Sequence, residues 1–132
     1  DVETLSKKLC DHMQLYTQFG GARPYGTALL IIGVSHGEAK LFETDPSGTL
    51  LEYKATAIGI GRPAVMKVFE EEYREDISME DAVLLGLKAL NTATEGKFDV
   101  STVEIGLIEV DNPLFRRMTK EEVARYVEKI GE

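Results

Sequence analysis

Three short stretches carry residue types that could do chemistry. Gly59-Ile60-Gly61 lies between a strand-like run and a helical pattern opened by Pro63, the setting in which a helix N-terminus attracts anions. The full dinucleotide fingerprint needs a third glycine and a parallel strand–helix–strand unit. Here Ala64 stands three residues after Gly61 and the preceding strands are joined by hairpins, so a tight strand-to-helix turn is the better reading. His12 and His36 are the only histidines, and Cys10 is the only cysteine. His12 neighbours Cys10 and Asp11 on a helix, but consecutive helix positions point apart and do not converge on a metal. Asp99-Val100-Ser101 sets a carboxylate beside a hydroxyl, yet nothing in the sequence argues for a carboxyl tuned toward neutral pH. No Gly-x-Ser-x-Gly elbow occurs. The residues themselves predict no catalytic site, no cofactor and no metal.

Composition narrows the partners. Aspartate and glutamate outnumber lysine and arginine 23 to 15, a formal net charge of -8, with no basic stripe carrying interleaved aromatics. Nucleic acid is excluded as an expected partner on that ground. A single cysteine forms no internal disulfide and suits a reducing compartment, so a cytoplasmic location is expected. The longest apolar run, Ala28 to Val34, is far too short to cross a bilayer, and no secretory signal heads the chain. Asp1 stands where a methionine would start a gene product, which suggests either removal of an upstream segment or a beginning within a longer protein.

The elements that would position these residues follow from periodicity. Val2, Leu5, Leu9, Met13 and Tyr16 recur every three to four residues and predict a helix ending at Gly20-Gly21. Ala22 to Gly26 reads as a loop. Thr27 to His36 is almost continuously apolar and predicts a strand buried on both faces. Turn chemistry at Ser35 to Glu38 and at Asp45-Pro46-Ser47-Gly48 joins it to strands over Ala39 to Thr44 and Thr49 to Ile58, an antiparallel meander. A helix from Pro63 carries Val65, Val68, Phe69 and Tyr73 on one face. Capping boxes at Ser78 to Asp81 and Thr119 to Glu122 open two further helices. The first of these is closed by Gly96, and its interior Gly86 suggests close packing against a neighbour. Val103, Ile105 and Leu107 alternate as a fourth strand that needs a partner. The fold class is α+β, and the whole chain, 1–132, looks like a single partial domain.

Two stretches carry a resemblance. Gln14-Leu15-Tyr16-Thr17-Gln18-Phe19-Gly20-Gly21-Ala22-Arg23-Pro24-Tyr25-Gly26 resembles the loop signature of proteasome α subunits. Leu41 to Gly48 followed by Glu52 to Gly59 is similar to that family's other strong stretch, and Glu72-Tyr73-Arg74-Glu75-Asp76 matches as well. The similarity extends over nearly the whole chain and weakens after about Lys97. It implies the C-terminal half of an archaeal-type subunit and a share in the four-layer αββα sandwich, with antiparallel sheets, of the N-terminal-nucleophile hydrolase superfamily. It also implies a non-catalytic component of the core particle of a threonine-type protease. Its partners would be other α subunits in a heptameric ring, β subunits, and a regulatory ATPase activator in ATP-dependent protein degradation. The axial gate segment, the first helices and the activator-receiving lysine would belong to the N-terminal half. By residue-by-residue transfer, Phe19, Gly21 and Arg23 would help hold the root of the gate segment. Phe19 lacks the hydroxyl of the tyrosine found in some relatives, and Arg23 keeps a forked, fixed charge. The plainer alternative for Arg23 is a solvated loop residue.

Two other readings compete. A catalytic relative of the same superfamily would need a free N-terminal threonine, serine or cysteine whose amine acts as base, and Asp1 does not serve. A free-standing interaction domain of the same fold would form no ring. The half-sandwich also predicts that the isolated chain either self-associates through uncovered sheet surfaces, as a symmetric dimer rebuilding the sandwich, or stays poorly folded alone.

Overall fold

The computed structural model describes residues 2–8, 28–45 and 47–130. They fall into two compact units, residues 1–58 and 59–132.

In the first unit, residues 2–8 are helical (α1), consistent with the predicted apolar periodicity. Strands β1 (Leu29–Ser35), β2 (Glu38–Thr44) and β3 (Leu50–Glu52) form an antiparallel sheet in sequence order, the expected meander. The β1–β2 turn has positive φ at both central residues, 53° at His36 and 77° at Gly37, and closes Ser35 opposite Glu38. That is the turn geometry whose twist matches a hairpin. In the second turn the Gly48 amide donates to the Asp45 carbonyl at 3.0 Å. The Asp45 carboxylate accepts from the Ser47 and Thr49 amides at 2.9 and 3.0 Å. The short aspartate side chain thus fixes the turn; Pro46 lies outside the described residues.

Register sorts the sheet into two faces. Leu29, Ile31, Gly33 and Ser35 share a face with Phe42 and Thr44. Here Gly33 is required, because a Cβ would collide with Val2 of α1. The Val2 amide also donates to Ser35 Oγ at 3.1 Å, and Ser6 Oγ returns to the Val2 carbonyl at 2.7 Å. Phe42 and Thr44 are buried on this side. The opposite face carries Leu30, Ile32 and Leu51, which are 38%, 53% and 46% exposed. The expectation of double-sided burial for β1 is therefore corrected: α1 lies against one face, and much of the other stays open. The third strand is also shorter than Thr49 to Ile58. After Glu52 only the Tyr53 amide continues the ladder, to the Leu41 carbonyl at 3.0 Å. The chain then bends, and the Thr56 hydroxyl donates to Glu43 Oε1 at 3.3 Å.

In the second unit α2 (Arg62–Glu72), α3 (Met79–Ala93) and α4 (Lys120–Ile130) gather with α3 in the middle, against α2 on one side and α4 on the other. Val65, Val68, Val83, Leu87, Ala89 and Val123 form its buried centre, drawn from the stripes that periodicity marked. Ser78 caps α3 by accepting from the Asp81 amide at 3.1 Å. The helix closes with the Gly96 amide on the Asn91 carbonyl at 2.8 Å and the Glu95 amide on Thr92 at 3.2 Å, a Schellman arrangement. Glu95 as well as Gly96 takes positive φ there, so the stop is not glycine's alone.

Two expectations fail in this unit. A Cβ at Gly86 would meet nothing within 4 Å, so that glycine marks no close packing. The fourth strand shrinks to β4 (Gly106–Leu107), and its partner is β5 (Arg116–Arg117). The Met118 amide extends the pairing to the Ile105 carbonyl at 2.9 Å. A pair of arginines has no strand signature, and only the turn back toward Ile105 makes it one.

Candidate functional site

The Gly59-Ile60-Gly61 stretch is a turn. Gly59 sits at φ 118°, the Arg62 amide donates to its carbonyl at 3.2 Å, and the Val65 amide donates to the Gly61 carbonyl at 3.2 Å. A Cβ on Gly61 would lie 2.8 Å from the Ala93 Cβ, so this glycine lets the start of α2 meet the end of α3. Its type follows from packing, without recourse to phosphate.

Asp99 behaves as a cap. Its carboxylate accepts from the Ser101 amide at 3.0 Å and begins the short 3-10 turn Val100–Thr102. Those Ser101 hydrogen bonds hold the Asp99 carboxyl below the usual carboxylate value. A general acid or base at neutral pH needs the opposite displacement. Asp45 is lowered likewise, first by the Ser47 hydroxyl and then by the Thr49 amide. His36 occupies the hairpin turn. Among the described residues no group of three or more histidine, cysteine, aspartate or glutamate side chains is placed to hold a metal. Phe19, Gly21 and Arg23, with Cys10 and His12, lie outside the described residues.

A groove of about 920 Å³ runs over α3 in the second unit. Ile77, Leu84, Leu85 and Ile130 give it an apolar floor, and charged side chains rim it. Lys88 pairs with Glu72, and Lys129 Nζ pairs with Glu80 at 2.7 Å. The Glu80 hydrogen bond raises the Lys129 pKa. These ion pairs tie α2 to α3 and α3 to α4, a structural task with no reactive group in it.

An arrangement that spacing did not reveal joins β5 to α4. Thr119 Oγ1 accepts from the Glu122 amide at 3.2 Å while Glu122 Oε1 accepts from the Thr119 amide at 3.1 Å, the complete reciprocal box. Arg116 Nη1 then donates to both oxygens of Glu122 at 3.1 and 3.2 Å. The Thr119 amide first, and Arg116 second, hold the Glu122 carboxyl below its usual value. The box was legible from Thr119 and Glu122; the arginine six residues before the acid was not. None of the described residues that could do chemistry is arranged with a partner for it, whereas several apolar surfaces are open.

Comparison with known proteins gives these surfaces a context. The family described as "Proteasome subunit" matches residues 1–108. The chain is 75% identical to "Proteasome subunit alpha" of Methanosphaerula palustris over 98% of its own length and 54% of that protein's. It is 73% identical to the protein of the same name from Methanoregula boonei, covering 96% of the chain and 53% of the relative. For Methanoculleus marisnigri the figures are 67%, 100% and 55%. The chain thus spans about half the length of the curated relatives it matches. No described helix is long and apolar enough to cross a membrane. With the family matching most of its residues and archaeal α subunits matching nearly all of them, this chain belongs to the proteasome subunit family.

Proposed function

We infer that the chain is the C-terminal part of a non-catalytic α subunit of the proteasome core particle. One observation carries the reading: identity of 75% runs across 98% of the chain to a protein named as an α subunit. The antiparallel meander and helical unit supply part of the sandwich that such a subunit shares with its superfamily. In the whole subunit, open apolar faces such as Leu30, Ile32 and Leu51 are surfaces for further protein to cover. The full-length subunit forms a heptameric outer ring, stacks on β subunits that carry the threonine nucleophile, and receives a regulatory ATPase in the cytoplasm. Phe19, Gly21 and Arg23 support the root of the gate segment there, with the Arg23 fork gripping a carboxylate or backbone carbonyl.

The test uses the full-length subunit. Expressed alone it assembles into a ring of seven by sedimentation and electron microscopy, and it cleaves no peptide until β subunits are added. A monodisperse monomer, or peptidase activity that tracks the α subunit alone, overturns the reading. In the assembled particle Arg23→Ala raises peptide hydrolysis by loosening the gate; unchanged hydrolysis removes Arg23 from that role.

A further inference from the structure

We propose that the Glu122 carboxylate is a two-way latch, through which the first turn of α4 and the β4–β5 hairpin form and open together. Taken alone, the hairpin is a marginal element. Its ladder is two residue pairs, Gly106 opposite Arg117 and Leu107 opposite Arg116, extended by the Met118 bond to Ile105. So short a two-stranded pairing does not hold itself in water. Two acids steady it. Arg117 Nη2 donates to Glu104 Oε2 at 3.0 Å, beside the ladder. Arg116 instead takes its carboxylate from α4.

Glu122 is where the two elements meet. Its Oε1 accepts from the Thr119 amide and from Arg116 Nη1 at 3.1 Å each, and its Oε2 accepts from the same nitrogen at 3.2 Å. One side chain thus closes the capping box of α4 and grips β5. Between Arg116 and Thr119 lie only Arg117 and Met118, and the Met118 amide makes the ladder bond to Ile105. Opening the hairpin therefore withdraws a donor from the cap, and fraying the cap withdraws the acceptor from the hairpin. Of the two elements α4 is the anchored one, since it packs on α3 and buries Val123, the residue after Glu122. An exposed ion pair adds little to a stable core. In a marginal segment the same contribution changes the open fraction several-fold. The latch lies within the helical unit and is independent of any ring.

Native-state hydrogen exchange on the whole chain reads the latch at two amides. Met118, bonded to the Ile105 carbonyl, reports the hairpin, and Val123, bonded to the Thr119 carbonyl at 3.0 Å, reports the start of α4. The Ala82 amide, bonded to the Ser78 carbonyl at the start of α3, is the internal reference. Glu122→Gln removes the charge that Arg116 grips but keeps an acceptor for the Thr119 amide, since glutamine also closes a capping box. It should speed exchange at Met118 by about threefold or more, with Ala82 unchanged. Arg116→Gln alters no residue of the helix, yet it should speed exchange at Val123 as well, because coupling is reciprocal. The double variant should exchange no faster than the faster single one, since both remove the same contact. Unchanged Met118 in Glu122→Gln, unchanged Val123 in Arg116→Gln, or effects that multiply in the double variant overturn the proposal. Salt gives a check on the unsubstituted chain. Raising it should speed Met118 there and leave Glu122→Gln unaffected; an equal response in both chains also rejects the latch.

Discussion

The helical unit and the meander settle their surfaces in different ways. In the helical unit α3 lies between α2 and α4, Leu87 is only 2% exposed, and both α3 and α4 begin on side-chain caps. In the meander the turns are equally well specified, yet Ile32 stays 53% exposed at the centre of its longest apolar run. Both regions obey their local rules. Local rules fix where an element starts, turns and stops; burial depends on whether a second layer arrives, and for one face of β1 none is supplied by the residues described.

The largest expected effect lies in that contrast. Leu87→Ala should cost about 2–5 kcal/mol in urea unfolding, the range for a buried leucine. Ile32→Ala, measured at concentrations too low for association, should cost less than about 1 kcal/mol, because much of its area is already in water. Equal losses at the two positions would show that β1 is covered after all.

Two glycines sharpen the comparison at smaller amplitude. Gly61→Ala forces a methyl group to 2.8 Å from the Ala93 Cβ and should destabilise by about 1–3 kcal/mol. Gly86→Ala meets open space in a helix interior and should stabilise by up to about 1 kcal/mol. Thermal unfolding of the pair decides it; a destabilising Gly86→Ala would mean a neighbour packs where none is described.

The smallest effects concern the caps. Thr119→Ala should lower stability by about 1 kcal/mol. Glu122 titrates below its usual value in the folded chain. The unfolded chain therefore takes up protons first as pH drops, and the contribution of Glu122, present above about pH 4–5, is lost below it. Glu122→Gln should flatten the fall in stability between about pH 5 and pH 3. An unchanged slope would assign the acid sensitivity elsewhere, with Asp45 and Asp99, lowered in the same direction, next to be replaced.

These outcomes follow what the sequence made legible. Ser78, Thr119 and Asp45 announce their own hydrogen bonds, because each satisfies a backbone amide two to four residues away. The turn reading of Gly59 to Gly61 held for the same reason, although the Ala93 contact behind Gly61 spans 32 positions and has no signature. Arg116–Arg117 could not be read as a strand, since its pairing comes only from the return to Gly106. Gly86 misled, because a helix glycine signals close packing only if a neighbour is present. For the site, the resemblance placed the chain in its family, while Phe19, Gly21 and Arg23 remain proposals on residues outside those described.

The two-residue turn at His36-Gly37 has a consequence in time. Hairpins of this kind form in about 1–10 μs, whereas synthesis adds roughly 5–20 residues per second. Among the described residues, the ladder partners of β1 and β2 lie within residues 29–53. The meander can therefore acquire its register on the ribosome before the first residue of α4 has been translated.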